Sequence, residues 1–175
     1  MNPQSNDPLR YIAGYAPELK TQVQAMIDKQ SLAKYLNKYS KTHNIVNDKA
    51  LRDYVMDVKN HYMRKSVPLS KVVFDNKIHV LNNALGLHTY VSRVQGGKLK
   101  SNNEIRIAAI FKKAPAEFLN MIVVHELAHL KEKDHNKNFY QLCQHMLSDY
   151  HQLEFDMRLY LMQQELIALL GNKKN

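Results

Sequence analysis

The segment from His125 to His135 reads HELAHLKEKDH and has the residue types and spacing of a metal site that can do chemistry. His125 and His129 lie four residues apart, so on a helix both imidazoles project from one face and can bind one zinc ion. Glu126 is adjacent and can handle the metal-bound water. His135 follows six residues after His129, where a third ligand can return once the helix has ended. Three protein ligands leave one position of zinc open for water, as in catalytic sites, so the sequence predicts one zinc ion per chain.

The helix that carries this motif is predicted to be buried. Residues 118–130 are apolar at nearly every position outside the motif. A helix that is apolar nearly all round is a buried helix. Burying two imidazoles and a carboxylate is costly unless something pairs with them, and a zinc ion would do so. The alternative is structural: two core histidines bonded to backbone carbonyls, with Glu126 in an ion pair.

The elements that must position the motif are predicted from hydrophobic periodicity. The 175 residues are expected to form one domain, 1–175, in which a helical N-terminal segment (1–70) precedes a catalytic core (71–161). Helices are predicted over 17–65, with a loop near 41–47, and over 115–131, 136–147 and 153–170. Strands are predicted at 71–74, 78–81, 87–94 and 104–111, with a turn at 75–77 between the first two.

Composition points to a reducing compartment. The single cysteine, Cys143, cannot form an internal disulfide and lies in an apolar-periodic segment, which predicts a buried thiol. The N-terminal ten residues lack the apolar core of a signal peptide. No run approaches the roughly 18 apolar residues of a membrane span. We therefore expect a cytoplasmic location.

Three segments together resemble the YgjP-like family of predicted metal-dependent hydrolases, bacterial proteins with a zincin-type site. They read SRVQGGKLKSNNEIRIAAIF (92–111), MIVVHELAHLKEKDHNKNFYQLC (121–143) and YHQLEFDMRLYL (150–161). The resemblance implies an α+β, zincin-like fold, in which a small antiparallel-edged sheet packs on the HExxH helix and strand 104–111 lines the cleft as an edge strand. It also implies hydrolysis, with zinc bound by His125, His129 and His135 and Glu126 as general base.

Glu132 separates the chain from the metzincins, whose motif HExxHxxGxxH has the same histidine spacing. Their turn uses the freedom of glycine at positive φ. In this chain the helix must therefore end by another route before His135. Glu154, on a downstream helix, is an alternative third ligand, as in other zincins, although His135 is preferred.

The predicted mechanism is activation of water. Zinc lowers the pKa of its bound water toward about 7, and Glu126 accepts the proton and passes it to the leaving group. The metal and a nearby donor stabilise the oxyanion. The candidate donors are Tyr150, His151 and Arg158. Each also has a structural explanation. Tyr150 could pack at a helix start, His151 could be an ordinary surface residue, and Arg158 could form an ion pair with Glu154.

Positive charge is concentrated in the predicted strands. The formal net charge is +9, and residues 71–113 hold eight Lys or Arg residues against only Asp75 and Glu104. Such a field attracts anionic partners, although a solvated face is the alternative explanation. The candidate anion-binding residues are Arg93, Lys98, Lys100 and Arg106.

Three functions remain open from the sequence. The favoured one is a zinc-dependent hydrolase of the metallopeptidase type. The first alternative is a zinc-dependent nucleoside triphosphate pyrophosphohydrolase, since a zinc-bound hydroxide can attack a phosphoanhydride while basic side chains hold the phosphates. The second is a basic nucleic-acid-associated protein with a zinc site. The expected partners are a peptide or nucleotide-like substrate, and nucleic acid through the basic face, with no membrane. Three imidazoles favour zinc, with iron and nickel as alternatives.

Overall fold

The computed structural model of the chain describes residues 7–78, 86–95 and 98–172, with the side chains of 7–78 and 103–171. The helices are α1 (Pro17–Asp28), α2 (Leu32–Leu36), α3 (Asp48–Tyr62), α4 (Ala116–Ala128), α5 (Lys137–Met146) and α6 (Tyr150–Asn172). The strands are β1 (Leu69–Asp75), β2 (Gly86–Gln95) and β3 (Lys98–Ala108), and short 3-10 helices span Pro8–Ile12 and Ala109–Lys112. The predicted mixture of helices with a small sheet is confirmed, and so is the loop near 41–47.

The three strands form a mixed sheet in the order β1-β3-β2. β2 pairs antiparallel with β3, whereas β1 pairs parallel with it. The prediction of an antiparallel-edged sheet is therefore wrong at the β1 edge. β2 therefore runs in the direction opposite to both β1 and β3. Because β1 and β3 lie far apart in sequence, the hydrophobic pattern of each strand alone does not determine whether they pair parallel or antiparallel.

Two further strand predictions need correction. β3 lies between its two partners, so it is not an edge strand among the described residues, and it ends at Ala108 because residues 109–112 form a 3-10 helix.

The predicted turn after β1 is present, with the Asp75 carboxylate accepting the Lys77 N–H at 2.8 Å. The predicted strand at 78–81 lies outside the described residues except for Ile78, which is not in a strand.

The chain forms two compact units. One unit, residues 41–151, contains the sheet with α3, α4 and α5. The other unit comprises residues 1–40 and 152–175, and its described part contains α1, α2 and nearly all of α6. That the whole chain folds as one domain stays a prediction. Among the described helices, none is long and apolar enough to cross a membrane.

In the unit of residues 41–151, α4 is buried against the sheet. It packs on β2 and β3, and all its residues from Met121 to Ala128 are buried, as predicted. On β3, Ile105 and Ile107 are fully buried. Side chains of a strand alternate between its faces, so Arg106 points to the face opposite these two. Cys143 is buried, as predicted.

The end of α4 shows how the chain turns without the metzincin glycine. The Leu130 N–H donates to the Leu127 carbonyl, and the Lys131 and Glu132 N–H groups both donate to the Ala128 carbonyl, each at 3.0 Å. The first two of these bonds span three residues, which tightens the last turn into 3-10 form and satisfies carbonyls at the helix end, whereas the third spans four residues, as in an α-helix. Glu132 has no positive φ. The helix therefore ends by another route, as predicted, and releases the chain toward His135.

Candidate metal centre

Three imidazoles converge at the end of α4. His135 Nε2 lies 3.2 Å from His125 Nε2 and 3.1 Å from His129 Nε2. Candidate ligand atoms of all three residues lie within 4.8 Å of one another. His125 and His129 are brought together by their spacing on one helix face, and His135 by the turn that follows α4. The structure thus brings together the three histidines that the sequence singled out.

The donor set fits a tetrahedral cation. A neutral imidazole nitrogen carries either one proton or one lone pair, so His135 Nε2 cannot bond well to both neighbours at once. Zinc–nitrogen bonds of about 2.0–2.1 Å at tetrahedral angles separate neighbouring ligand nitrogens by about 3.3 Å. The observed separations of 3.1 and 3.2 Å are close to that value. A cation between the rings would satisfy all three lone pairs.

The other ring nitrogens of the α4 histidines are bound within the protein. His125 Nδ1 lies 2.6 Å from the Tyr150 hydroxyl, and His129 Nδ1 lies 3.0 Å from the Glu132 carbonyl oxygen. A carbonyl only accepts, so His129 is assigned a proton on Nδ1, which leaves the Nε2 lone pair facing the cluster. Burial lowers the pKa of His129. A lowered pKa favours the neutral imidazole that a metal requires.

Glu126 follows His125 on α4 and is buried without a compensating partner among the described residues. The residue is 2% exposed, and its Oε2 has no hydrogen-bond partner among the described residues. Burial raises the pKa of Glu126 to about 8. A divalent cation nearby would favour the carboxylate and lower that pKa again. The structural alternative required an ion pair for Glu126, and no ion pair involves it among the described residues.

Phe139 forms the apolar support of the histidine cluster, a role that the sequence did not reveal. Its ring centroid lies 5.0, 4.6 and 4.7 Å from those of His125, His129 and His135, respectively, and it is fully buried. The only sequence signal is its place in the apolar stripe of α5, four residues after His135. That position equally predicts an ordinary core residue.

The candidate oxyanion donors occupy three different settings. Tyr150 is fully buried and bonds to His125 on the Nδ1 side of its ring, away from the cluster. His151 is exposed, with its ring 5.2 Å from that of Tyr140. In the other unit, Arg158 donates to Glu154 Oε1 at 3.0 Å, as its structural explanation requires, and to the Tyr11 carbonyl at 3.2 Å.

The candidate anion-binding residues are described only in part. Arg106 donates to Asp75 and Glu104, at 3.1 Å each. These two carboxylates neutralise much of the field that Arg106 would offer a phosphate. The side chains of Arg93, Lys98 and Lys100 lie outside the described ones.

The comparisons with known proteins agree with this geometry. The family model described as YgjP-like, metallopeptidase domain matches residues 2–160. A UTP pyrophosphatase from Escherichia coli (strain K12) is 60% identical over 156 residues, which cover 89% of this chain and 93% of that protein. No solved structure matches the chain. A family match over this much of the chain, with the three histidines of the motif side by side, establishes that the chain belongs to the YgjP-like, metallopeptidase domain family.

Proposed function

We propose that the chain is a metal-dependent hydrolase in which His125, His129 and His135 hold one zinc ion. The observation that carries the proposal is that His135 Nε2 lies 3.2 Å from His125 Nε2 and 3.1 Å from His129 Nε2. The residue after His125 is Glu126, a buried carboxylate with an oxygen that has no partner among the described residues. Three nitrogen ligands suit zinc and leave a coordination position open. Glu154 is not needed as the third ligand.

Glu126 is the general base of the proposed reaction. When bound, the metal would supply a Lewis acid and lower the pKa of water at the open position. Glu126 takes one proton from the attacking water and returns it to the leaving group. Its burial keeps bulk water from competing for that proton. Phe139 holds the three rings in place and excludes water from one side of the cluster.

The proposed substrate is a nucleoside triphosphate of the UTP type. The UTP pyrophosphatase from Escherichia coli (strain K12) is 60% identical over 89% of this chain, so its substrate class is the best supported for this site. Water attacks the α-phosphorus, the bond from that phosphorus to the α–β bridging oxygen breaks, and pyrophosphate leaves with the returned proton beside a nucleoside monophosphate. The net charge of +9 favours an anionic substrate over a neutral peptide.

Peptide hydrolysis is the second candidate. The family description names a metallopeptidase domain, and the same Glu126 and zinc geometry would hydrolyse an amide. The positive charge concentrated in residues 71–113 of the sequence favours a nucleic-acid partner, and the comparisons add no support for one.

The test pairs metal analysis with a substrate panel. Purified protein, wild type and His129→Ala, is analysed for zinc and then incubated with UTP, CTP, ATP, UDP and a mixed peptide library. We expect about one zinc per chain in the wild type, none in the variant, and zinc-dependent release of pyrophosphate from UTP. Peptide cleavage without pyrophosphate release would select the second candidate. Absence of metal from the wild type, even after zinc is supplied, would overturn both.

A further inference from the structure

A short hydrogen bond joins Tyr150 to His125 of the histidine cluster. Tyr150 is the first residue of α6 and is fully buried. Its hydroxyl lies 2.6 Å from His125 Nδ1, and the two rings are nearly parallel, at 18°. His125 is itself only 7% exposed, so water has little access to replace this contact.

The chemistry of imidazole gives this bond a direction once a metal is present. A neutral imidazole that binds a cation through Nε2 must carry its proton on Nδ1. The Tyr150 oxygen then accepts that proton. In the opposite arrangement the phenol would donate to Nδ1, the proton of His125 would sit on Nε2, and no lone pair would face the cluster. At His129 the Glu132 carbonyl permits only one arrangement, whereas at His125 the phenol allows both.

We propose that Tyr150 is a positioning residue of the metal centre: its phenol oxygen accepts the Nδ1 proton of His125, which fixes the tautomer and the ring orientation that a metal needs. This role rests on the proposed function. It differs from contact with a transition state, because the Tyr150 hydroxyl lies on the side of the His125 ring away from Nε2. Partners of this kind raise metal affinity about 10–100-fold.

The test compares Tyr150→Phe with Tyr54→Phe. Tyr54 offers a matched control because its hydroxyl also bonds to a residue of α4: it donates to Asn120 Oδ1 at a distance of 2.9 Å. The Phe variant removes this hydroxyl in the same way. Zinc affinity is measured by competition with a chromophoric chelator, and the visible spectrum of the cobalt-substituted protein is recorded. We expect Tyr150→Phe to bind zinc about 10–100-fold more weakly, with an altered cobalt spectrum. The control should match the wild type in both.

Each other outcome has a definite meaning. Tyr150→Phe could have a lower melting temperature but bind zinc as tightly as the wild type and give the same cobalt spectrum. Tyr150 would then contribute only to packing, which would overturn the inference and leave the proposed function intact. Failure of the wild type to bind zinc would overturn both. If Tyr150→Phe does not fold, NMR of the zinc-loaded wild type decides. An exchange-protected proton on His125 Nδ1 supports the inference, and its absence overturns it.

Discussion

Two buried carboxylates, one in each compact unit, are held in opposite ways. In the unit of residues 1–40 and 152–175, Asp156 is fully buried and accepts from the Tyr35 hydroxyl at 2.8 Å, from the Tyr39 hydroxyl, and from Lys38 Nζ at 2.9 Å. In the unit of residues 41–151, Glu126 is almost as buried, yet its Oε2 has no partner among the described residues.

The difference matches a structural role for Asp156 and the catalytic role that we propose for Glu126. A buried charge with several donors links its own element to theirs, and Asp156 in this way links α6 to α2 and to the residues that follow α2. A buried carboxyl without a partner costs stability, and it is retained where an ion, water or reaction compensates for it. Burial alone therefore does not mark a functional acid. What distinguishes Glu126 is burial without a partner among the described residues, next in the chain to one of the three converging histidines.

The first and largest expected effect is that of Glu126→Gln on catalysis. General bases contribute about 10²–10⁴-fold to a rate, so we expect pyrophosphate release to fall by about that factor while zinc content is unchanged. The amide is neutral and close to the carboxyl in size, so it removes the cost of burying the charged form that a bound metal favours, and the variant should unfold at no lower urea concentration than the wild type. Steady-state kinetics and urea titration provide the measurements.

Glu117→Gln provides the matched control for this change. Glu117 lies on the same helix, in its first turn, and also has a buried oxygen without a partner among the described residues. It is nine residues, or roughly 13 Å of helix, before Glu126. Its variant should keep full activity. Equal losses in the two variants would show that any buried carboxyl of α4 matters, and would remove the special role of Glu126.

Phe139→Ala tests whether the support of the histidine cluster is specific. Removing a buried phenylalanine costs about 3–5 kcal/mol of unfolding free energy, and in this case it should also weaken zinc binding. Phe118→Ala is the comparison, since Phe118 is fully buried near the start of α4. We expect similar losses in urea-induced unfolding from both variants, but weaker zinc binding only from Phe139→Ala. Equal zinc affinities in the two would contradict the supporting role.

The convergence of the histidines could be predicted because it depends on local geometry. Spacing of four on a helix places His125 and His129 on one face, and the short turn limits how far His135 can lie from them. The motif predicted that the chain returns His135 toward the helix, but it did not predict which hydrogen bonds form the turn. The 3-10 bonds after Ala128 and the Glu132 carbonyl are backbone features that any side chain permits.

The parts that sequence missed are those set by long-range packing. Tyr150 contacts His125 across 25 residues, and its candidate role as an oxyanion donor followed only from its nearness in sequence to the motif. The parallel pairing of β1 with β3 likewise depends on the path between them. Arg106 counted as a positive charge in the sequence, whereas in the structure Asp75 and Glu104 bind it.

Asp156→Asn should give the converse of Glu126→Gln. The amide keeps one acceptor oxygen for the tyrosines but loses the ion pair with Lys38, so we expect a loss of about 1–3 kcal/mol in unfolding free energy. Activity measured well below the unfolding transition should stay near that of the wild type. Urea titrations of the two variants side by side check the comparison. A large loss of activity with unchanged stability would show that Asp156 acts in catalysis.

The smallest expected effect is on how steeply the stability of the fold declines as the pH rises into the alkaline range. Burial, followed by the hydrogen bond to Asp156, raises the pKa of Tyr39 above its ordinary value. A group whose folded pKa is raised gives stability that is fully present below its unfolded pKa, about 10 for tyrosine, and lost as pH rises toward the folded pKa. Stability should therefore decline above pH of about 10, and Tyr39→Phe should decline less steeply although it starts lower at neutral pH. Melting temperatures measured from pH of about 8 to 11 give the slope for each protein. An unchanged slope in Tyr39→Phe would mean that the Tyr39 phenol ionises equally readily in the folded and unfolded chains. That result would contradict the tight pairing of Tyr39 with Asp156, on which the contrast with Glu126 depends.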